Sequence, residues 1–92
     1  MPERTVSLVN KSGLHARPAK VFARAAASQP CDVTVSKGDR EANAKSVLSV
    51  LTLDCLAGDQ ITIRTDGEGA EQALQELVTL VESGMGEPQE HG

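Results

Sequence analysis

The chain has 92 residues and a mass of 9.7 kDa, which suits one domain, because a single hydrophobic core serves roughly 50 to 200 residues. Its hydrophobic fraction of 39% comes mostly from Ala, Val and Leu, with Phe22 as the single aromatic residue, so the core must be aliphatic. The formal net charge of -4 and the lack of Trp and Tyr argue against a nucleic-acid partner, since phosphate backbones attract cations and bases stack on aromatic rings.

The first half of the chain predicts a strand, a helix and a hairpin. In order, these are a strand over about residues 4–9, a helix over 16–27, and strands over 31–36 and 40–43 that meet at Lys37-Gly38-Asp39. The strands follow from the alternation of apolar and polar residues, as at Val6 and Leu8. The helix follows from apolar residues at helical spacing, and Pro18 falls in its first turn, where a missing N–H is harmless.

The second half predicts a short helix, a strand and a longer helix. In order, these are a helix around residues 47–51 with Ser46 as its N-cap, a strand around 61–64, and an amphipathic helix over about 70–83 with Gly84 as its C-cap. Residues 85–92 contain Gly, Pro and Glu without apolar periodicity. We therefore expect a domain over residues 1–84 and a flexible C-terminal tail over 85–92.

The element order βαββαβα predicts an α+β fold, an open-faced β-sandwich. Because every predicted strand alternates in polarity, one face of the sheet should be solvated while the helices cover the other. We expect a four-stranded antiparallel sheet with three helices on one face.

The sequence offers no targeting signal. Its N-terminal segment has no apolar stretch of the roughly 7 to 15 residues that a secretory signal needs, and no segment is apolar over the roughly 20 residues of a membrane helix. We therefore expect a soluble cytoplasmic protein without membrane insertion. In that compartment Cys31 and Cys55 fit buried thiols better than a disulfide.

Basic residues are concentrated near the N-terminus. Residues 4–31 hold five of the nine basic residues and none of the 13 acidic ones; the five are Arg4, Lys11, Arg17, Lys20 and Arg24. Such a patch would attract an anionic ligand or an acidic partner surface. It would equally suit a solvated first helix, and the charges alone leave both interpretations open.

His15 stands directly before the predicted first helix, two residues ahead of Arg17. A helix start presents unpaired N–H groups and the positive end of the peptide dipoles, which together suit a phosphate. That positive field would also leave the imidazole uncharged and nucleophilic. We therefore expect His15 to lie against these amides and to accept a phosphoryl group, whose charge the amides and the guanidinium offset without a metal.

Other roles for His15 have less support in the sequence. It could be a capping or surface histidine, which is the commoner case in an arbitrary domain. A metal site lacks ligands, because His91 is far away and no cysteine lies close in sequence. A hydrolytic triad lacks a nearby acid to orient the ring, although a residue distant in sequence could supply one.

Two blocks of sequence resemble the HPr family, the histidine-containing phosphocarriers of the bacterial phosphotransferase system. GLHARPA at residues 13–19 resembles the active-site signature of that family, and AKSVLSVLTL at 44–53 resembles its serine region. Gly58 and the strand at 61–63 follow at the expected distance. The similarity covers about residues 3–84 and has the same βαββαβα order.

This resemblance implies a carrier protein without a cofactor, not an enzyme. His15 would accept a phosphoryl group on Nδ1 from enzyme I, which takes it from phosphoenolpyruvate, and would pass it to the IIA components of sugar permeases. Ala16, Arg17 and Pro18 would bind the phosphoryl group, with Arg17 stabilising its charge. We expect a monomer, since one surface must serve successive partners.

The resemblance also implies a docking surface and a regulatory site. The docking surface would lie on the first two helices and include Lys20, Arg24, Leu48, Ser49 and Leu51. Ser46 aligns with the serine that an HPr kinase phosphorylates in many relatives, where added charge would weaken docking. Its other role is plain N-capping, and both interpretations stay open.

Two further functions remain as alternatives. A paralogous carrier in a nitrogen-type regulatory phosphorelay would use the same chemistry with other partners. A regulatory binding module would act without phosphoryl transfer, and relatives of that kind lack the histidine that His15 provides here.

Overall fold

The computed structural model of the chain describes residues 2–85. Its elements are, in chain order, β1 (Glu3–Ser7), α1 (Ala16–Ala27), β2 (Asp32–Lys37), β3 (Arg40–Asn43), α2 (Val47–Leu51), β4 (Gln60–Asp66) and α3 (Ala70–Glu82). The predicted βαββαβα order is confirmed, and α1 and β3 have the predicted bounds. Strand β1 ends earlier than predicted, because the backbone of Leu8 pairs with Gly58 and Asp59 of a loop instead of with a strand.

The four strands form one sheet in the order β1-β4-β2-β3, and every neighbouring pair is antiparallel. The last strand in sequence therefore lies between the first two. Helix α3 contacts β1 and β4, α1 contacts α2 and α3, and α2 contacts β3. The predicted α+β open-faced sandwich, with three helices on one face of the sheet, is confirmed.

The polarity of the strands separates the two faces of the sheet. Ile61 and Ile63 of β4 are buried under the helices, while Thr62 between them lies on the open face. There its hydroxyl makes a 2.8 Å hydrogen bond with the hydroxyl of Thr5 on β1. Phe22 of α1 and Leu77 of α3 are fully buried in the core between the helices and the sheet.

The C-terminal boundary of the domain differs from the prediction. Met85, which the sequence assigned to the flexible tail, is only 2% exposed and belongs to the hydrophobic core. Its N–H donates to the carbonyl of Leu80 at 3.3 Å. The C-cap residue of α3 is Ser83, and Gly84 comes one position later with a positive φ of 88°, which turns the chain back toward the core. The rest of the predicted tail lies outside the described residues.

Both cysteines are buried and free, as predicted. Among the described helices, none combines the length and apolar character that crossing a membrane requires.

Candidate functional site

His15 is the N-cap residue of α1, but its ring does not cap the helix. The residue has an extended backbone and makes no side-chain hydrogen bond to the first turn. Its side chain is 34% exposed. Nδ1 lies 3.1 Å from the carbonyl oxygen of Ser12, and Nε2 lies 2.9 Å from Oδ1 of Asp54. The ring nitrogens therefore face two oxygens, and the prediction that they lie against bare amide hydrogens is wrong.

The loop before His15 is fixed against the loop after α2. The N–H of Leu14 donates to the carbonyl of Cys55 at 3.0 Å, and the side chain of Leu14 is fully buried. Gly13 has a φ of 60°, and a Cβ there would lie 2.7 Å from the carbonyl carbon of Leu56 and closer still to the carbonyl oxygen of Cys55. Only glycine permits so close an approach of two backbones. The position of His15 thus depends on a segment about 40 residues further along the chain.

A side-chain hydrogen bond closes the same loop from within. The amide nitrogen of the buried Asn10 donates to the carbonyl of Gly13 at 2.7 Å. The N–H of Gly13 donates back to the carbonyl of Asn10 at 3.3 Å. These bonds satisfy polar groups that would be costly to bury alone, and they hold the turn that delivers His15 to the helix start.

The first turn of α1 combines an irregular backbone with exposed polar groups. Ala16 is exposed and has a φ of 49°, a left-handed conformation that costs a non-glycine residue about 1–2 kcal/mol. The N–H groups of Ala16 and Arg17 lie in the first turn of the helix, where no helical carbonyl is available to accept them. The next residue, the buried Pro18, has no N–H. The predicted phosphate-binding residues therefore present two backbone donors beside His15.

The cationic surface of α1 lies where the sequence placed it. Arg17, Lys20 and Arg24 are all exposed, and no acidic residue occupies the first turn. Lys11 is exposed in the loop ahead of the helix. Arg4, which the sequence grouped with these residues, instead lines a cleft on α3 beside Glu71 and is separate from the patch. Arg4 is close to the other basic residues in sequence, but strand β1 places it in a different part of the structure.

Helix α2 places the remaining predicted residues next to α1. Oγ of Ser46 accepts a 3.3 Å hydrogen bond from the N–H of Ser49, which confirms Ser46 as the N-cap. Leu48 is 77% exposed, whereas Ser49 and Leu51 are half-buried. Leu48 thus adds exposed apolar area next to the cationic surface of α1.

Sequence analysis did not identify Asp54 as part of the site. It lies 39 positions from His15, three residues after the end of α2. No local pattern connects an aspartate in a turn with a histidine so distant in sequence. The proximity follows from the pairing of Leu14 with Cys55, which no periodicity predicts.

The loop from Asp54 to Asp59 is held by Lys37. Nζ of Lys37 donates to the carbonyl of Asp54 at 3.0 Å and pairs with Oδ2 of Asp59 at 2.9 Å, and the same oxygen accepts from the N–H of Leu56 at 2.8 Å. The Leu56 N–H and the Lys37 ammonium hold the pKa of Asp59 below its ordinary value, and the bond to Asp59 raises the pKa of Lys37. Burial raises the pKa of the Cys55 thiol, which therefore stays protonated in the core.

No group of three or more His, Cys, Asp or Glu side chains suited to a metal occurs among residues 2–85. The ring of His15 contacts one carbonyl and one carboxylate, and these contacts orient it. What the site offers chemically is a partly exposed imidazole that directly precedes the first turn of α1, where backbone N–H groups without intrahelical partners and the exposed Arg17 suit an anion.

Three comparisons with known proteins agree. A family model described as "PTS HPr component phosphorylation site" matches residues 2–83. A phosphocarrier protein HPr from Streptomyces coelicolor is 46% identical over 88 residues, which cover 95% of each chain. The crystal structure of HPr-C-His from Thermoanaerobacter tengcongensis has a TM-score of 0.92 and 36% identity, and covers 96% of this chain and 99% of that one. An HPr dimer from the same organism has a TM-score of 0.75 and 37% identity, with coverages of 95% and 100%.

The stability contributed by Asp59 should depend on pH. Because its pKa is lower in the folded state, ionised Asp59 stabilises the fold above its ordinary pKa of 3.8, and this contribution is lost as the pH falls through the lowered value. Asp59→Asn should therefore lower the free energy of unfolding at neutral pH, and the gap from the wild type should close as the pH falls through the lowered pKa of Asp59. Urea denaturation followed by circular dichroism, repeated over a series of pH values, measures the free energy of unfolding of the variant and of the wild type.

Asp39→Asn is the matched control, since Asp39 is exposed in the β2–β3 turn and carries the same charge. It should leave the free energy of unfolding within about 0.5 kcal/mol of the wild type. A difference between Asp59→Asn and the wild type that stayed constant with pH would contradict the role given to the Asp59 carboxylate.

Proposed function

The chain belongs to the HPr family of phosphocarrier proteins in the bacterial phosphotransferase system, and we propose that His15 is the residue that carries its phosphoryl group. As a phosphocarrier it is a protein substrate of phosphotransferases and not an enzyme. We propose that it accepts the group from phosphorylated enzyme I, which is charged by phosphoenolpyruvate, and donates it to IIA components of sugar permeases in the cytoplasm. The observation that carries this proposal is the partly exposed ring of His15 at the start of α1, with Arg17 two residues away.

The transfer needs little from the protein beyond position and charge. The lone pair of Nδ1 forms a bond to phosphorus while the bond from phosphorus to the donor breaks, and the charge spreads over three phosphoryl oxygens. The N–H groups of Ala16 and Arg17 and the guanidinium of Arg17 are the donors available to those oxygens. Pro18 sets the first helical turn without adding a donor that would stay unpaired.

Partners would dock on the exposed face that α1 and α2 share. Lys20 and Arg24 provide charge for an acidic partner surface, while Leu48 and Leu51 provide apolar area around Ser49. Use of one surface by donor and acceptor in turn suits a protein that meets them one at a time. We propose a monomer on this ground, although a relative of the same fold has been solved as a dimer.

Ser46 has a structural role that does not preclude a regulatory one. Its hydroxyl oxygen already accepts from the first turn of α2. A phosphate there, added by an HPr kinase, would bring a charge of about -1.5 to -2 next to Leu48 and would weaken docking of an acidic partner. We propose this as the effect of phosphorylation at Ser46 where such a kinase acts.

Incubation with enzyme I and labelled phosphoenolpyruvate should give the chain one acid-labile, base-stable phosphoryl group. His15→Ala should remove the label completely, while its circular dichroism spectrum stays that of the wild type, because the side chain is outside the core. Label retained by the variant would overturn the assignment of His15. Subsequent addition of IIA proteins from the sugar and nitrogen branches identifies the acceptor, and absence of transfer to either would support the non-transfer binding module.

Arg17→Ala should slow phosphoryl acceptance by about 100- to 1000-fold, the range found when a donor to a developing anion is removed. Arg64→Ala is the matched control, because it removes the same charge from the open face of the sheet, where Arg64 pairs with Glu3. Its rate should match that of the wild type. Equal rates for the two variants would mean that only net charge matters, which contradicts a local role for Arg17.

A further inference from the structure

Both nitrogens of the His15 ring face groups that can only accept a hydrogen bond. The carbonyl of Ser12 lies 3.1 Å from Nδ1, and the carboxylate of Asp54 lies 2.9 Å from Nε2. A neutral imidazole carries one N–H and can donate to only one of these oxygens. The two acceptors therefore compete for the single proton, and the outcome decides which nitrogen keeps a free lone pair.

The strengths of the two hydrogen bonds decide this competition. A bond to a carboxylate is charge-assisted and roughly twice as strong as one between neutral groups. A proton on Nδ1 would also leave the lone pair of Nε2 facing the negative charge of Asp54 at 2.9 Å. The neutral ring of His15 should therefore hold its proton on Nε2, which leaves the Nδ1 lone pair available.

The backbone of Asp54 is fixed by contacts that do not involve His15. Its N–H donates to the carbonyl of Leu51 at 3.2 Å, and its carbonyl accepts from Nζ of Lys37 at 3.0 Å. Its φ of 51° is in the left-handed region, which glycine adopts at no cost and aspartate tolerates better than most residues. The backbone of Asp54 is therefore held in place before any phosphoryl donor arrives, and its carboxylate lies within hydrogen-bond distance of Nε2.

We propose that Asp54 is a positioning residue that holds neutral His15 as the Nε2–H tautomer, so that Nδ1 is the nucleophile. This inference rests on the proposed function. In the transfer, the Nδ1 lone pair forms the N–P bond as the bond between phosphorus and the donor breaks, and the ring keeps its proton on Nε2. The ring thereby gains a positive charge, which the carboxylate of Asp54 offsets. In this tautomer Nδ1 has no proton to donate to the carbonyl of Ser12, so no hydrogen bond at Nδ1 is broken when phosphorus approaches.

Nitrogen-15 spectra of the imidazole test the tautomer directly. They are recorded near pH 9, about two units above the ordinary histidine pKa, in a His91→Gln background so that His15 is the single imidazole. Asp54→Gly removes the carboxylate and suits the positive φ, and Asp54→Asn keeps a neutral acceptor of the same length. Asp39→Asn is the control of equal charge change, placed in an exposed turn.

The wild type and Asp39→Asn should show Nε2–H as the major tautomer. Asp54→Gly should raise the ratio of Nδ1–H to Nε2–H by about three- to tenfold, a range that allows for solvent screening of a carboxylate that is 75% exposed. Asp54→Asn should lie between them. A major Nδ1–H tautomer in the wild type, or an unchanged ratio in Asp54→Gly, would overturn the proposal.

The rate of phosphoryl acceptance from enzyme I gives the second readout. Asp54→Gly should be about three- to tenfold slower than the wild type, and Asp39→Asn should match it. A slower rate without a change of tautomer would assign Asp54 a merely structural role and would overturn the proposal. A wild type that enzyme I does not phosphorylate would instead remove the proposed function, whatever the tautomer, so the two failures are distinguishable.

Discussion

The site depends on the close contact between the loop before α1 and the loop after α2. A backbone hydrogen bond from the N–H of Leu14 to the carbonyl of Cys55 joins them, and Gly13 permits the approach because a Cβ there would collide with the Cys55–Leu56 backbone. The buried side chain of Leu14 anchors the first loop in the core, and Lys37 anchors the second through Asp59. This contact brings Asp54 within hydrogen-bond distance of the His15 ring.

The features that the sequence predicted are those with local causes. Helix α1 follows from apolar residues at helical spacing and from Pro18 in the first turn, and the cap of α2 follows from Ser46 and the N–H three residues later. The hairpin of β2 and β3 follows from alternation around Gly38. The GLHARPA motif located the candidate histidine within this frame, although it did not specify what the ring contacts.

The features that sequence analysis missed depend on contacts between distant segments. The carboxylate at Nε2 of His15 comes from 39 positions away, and its aspartate resembled any other residue of a turn. Arg4 was grouped with the basic patch because it is close in sequence, but β1 carries it to α3. Met85 lacks periodic neighbours, and it is buried because Gly84 turns the chain back onto the core. In each case the topology of the sheet and helices decides the contact, and no pattern in a short window encodes it.

A phosphocarrier must keep its reactive group accessible and yet hold it in one orientation. In this chain the ring of His15 is one-third exposed, while its hydrogen bond to the carboxylate of Asp54 limits its rotation. The loop before α1 and the loop after α2 hold the backbone of His15 in place, and its position at the start of α1 keeps the ring accessible. Helix α1, with its exposed cationic residues, packs beside α2, which presents Leu48 to solvent.

The position of the phosphoryl group on the phosphorylated chain tests this account most directly. Scalar coupling between phosphorus-31 and nitrogen-15, measured on the uniformly labelled protein after treatment with enzyme I and phosphoenolpyruvate, identifies the bonded nitrogen. The account predicts a single N–P bond at Nδ1 of His15. Coupling to Nε2, which faces Asp54, or a phosphoryl group on any other residue would contradict it.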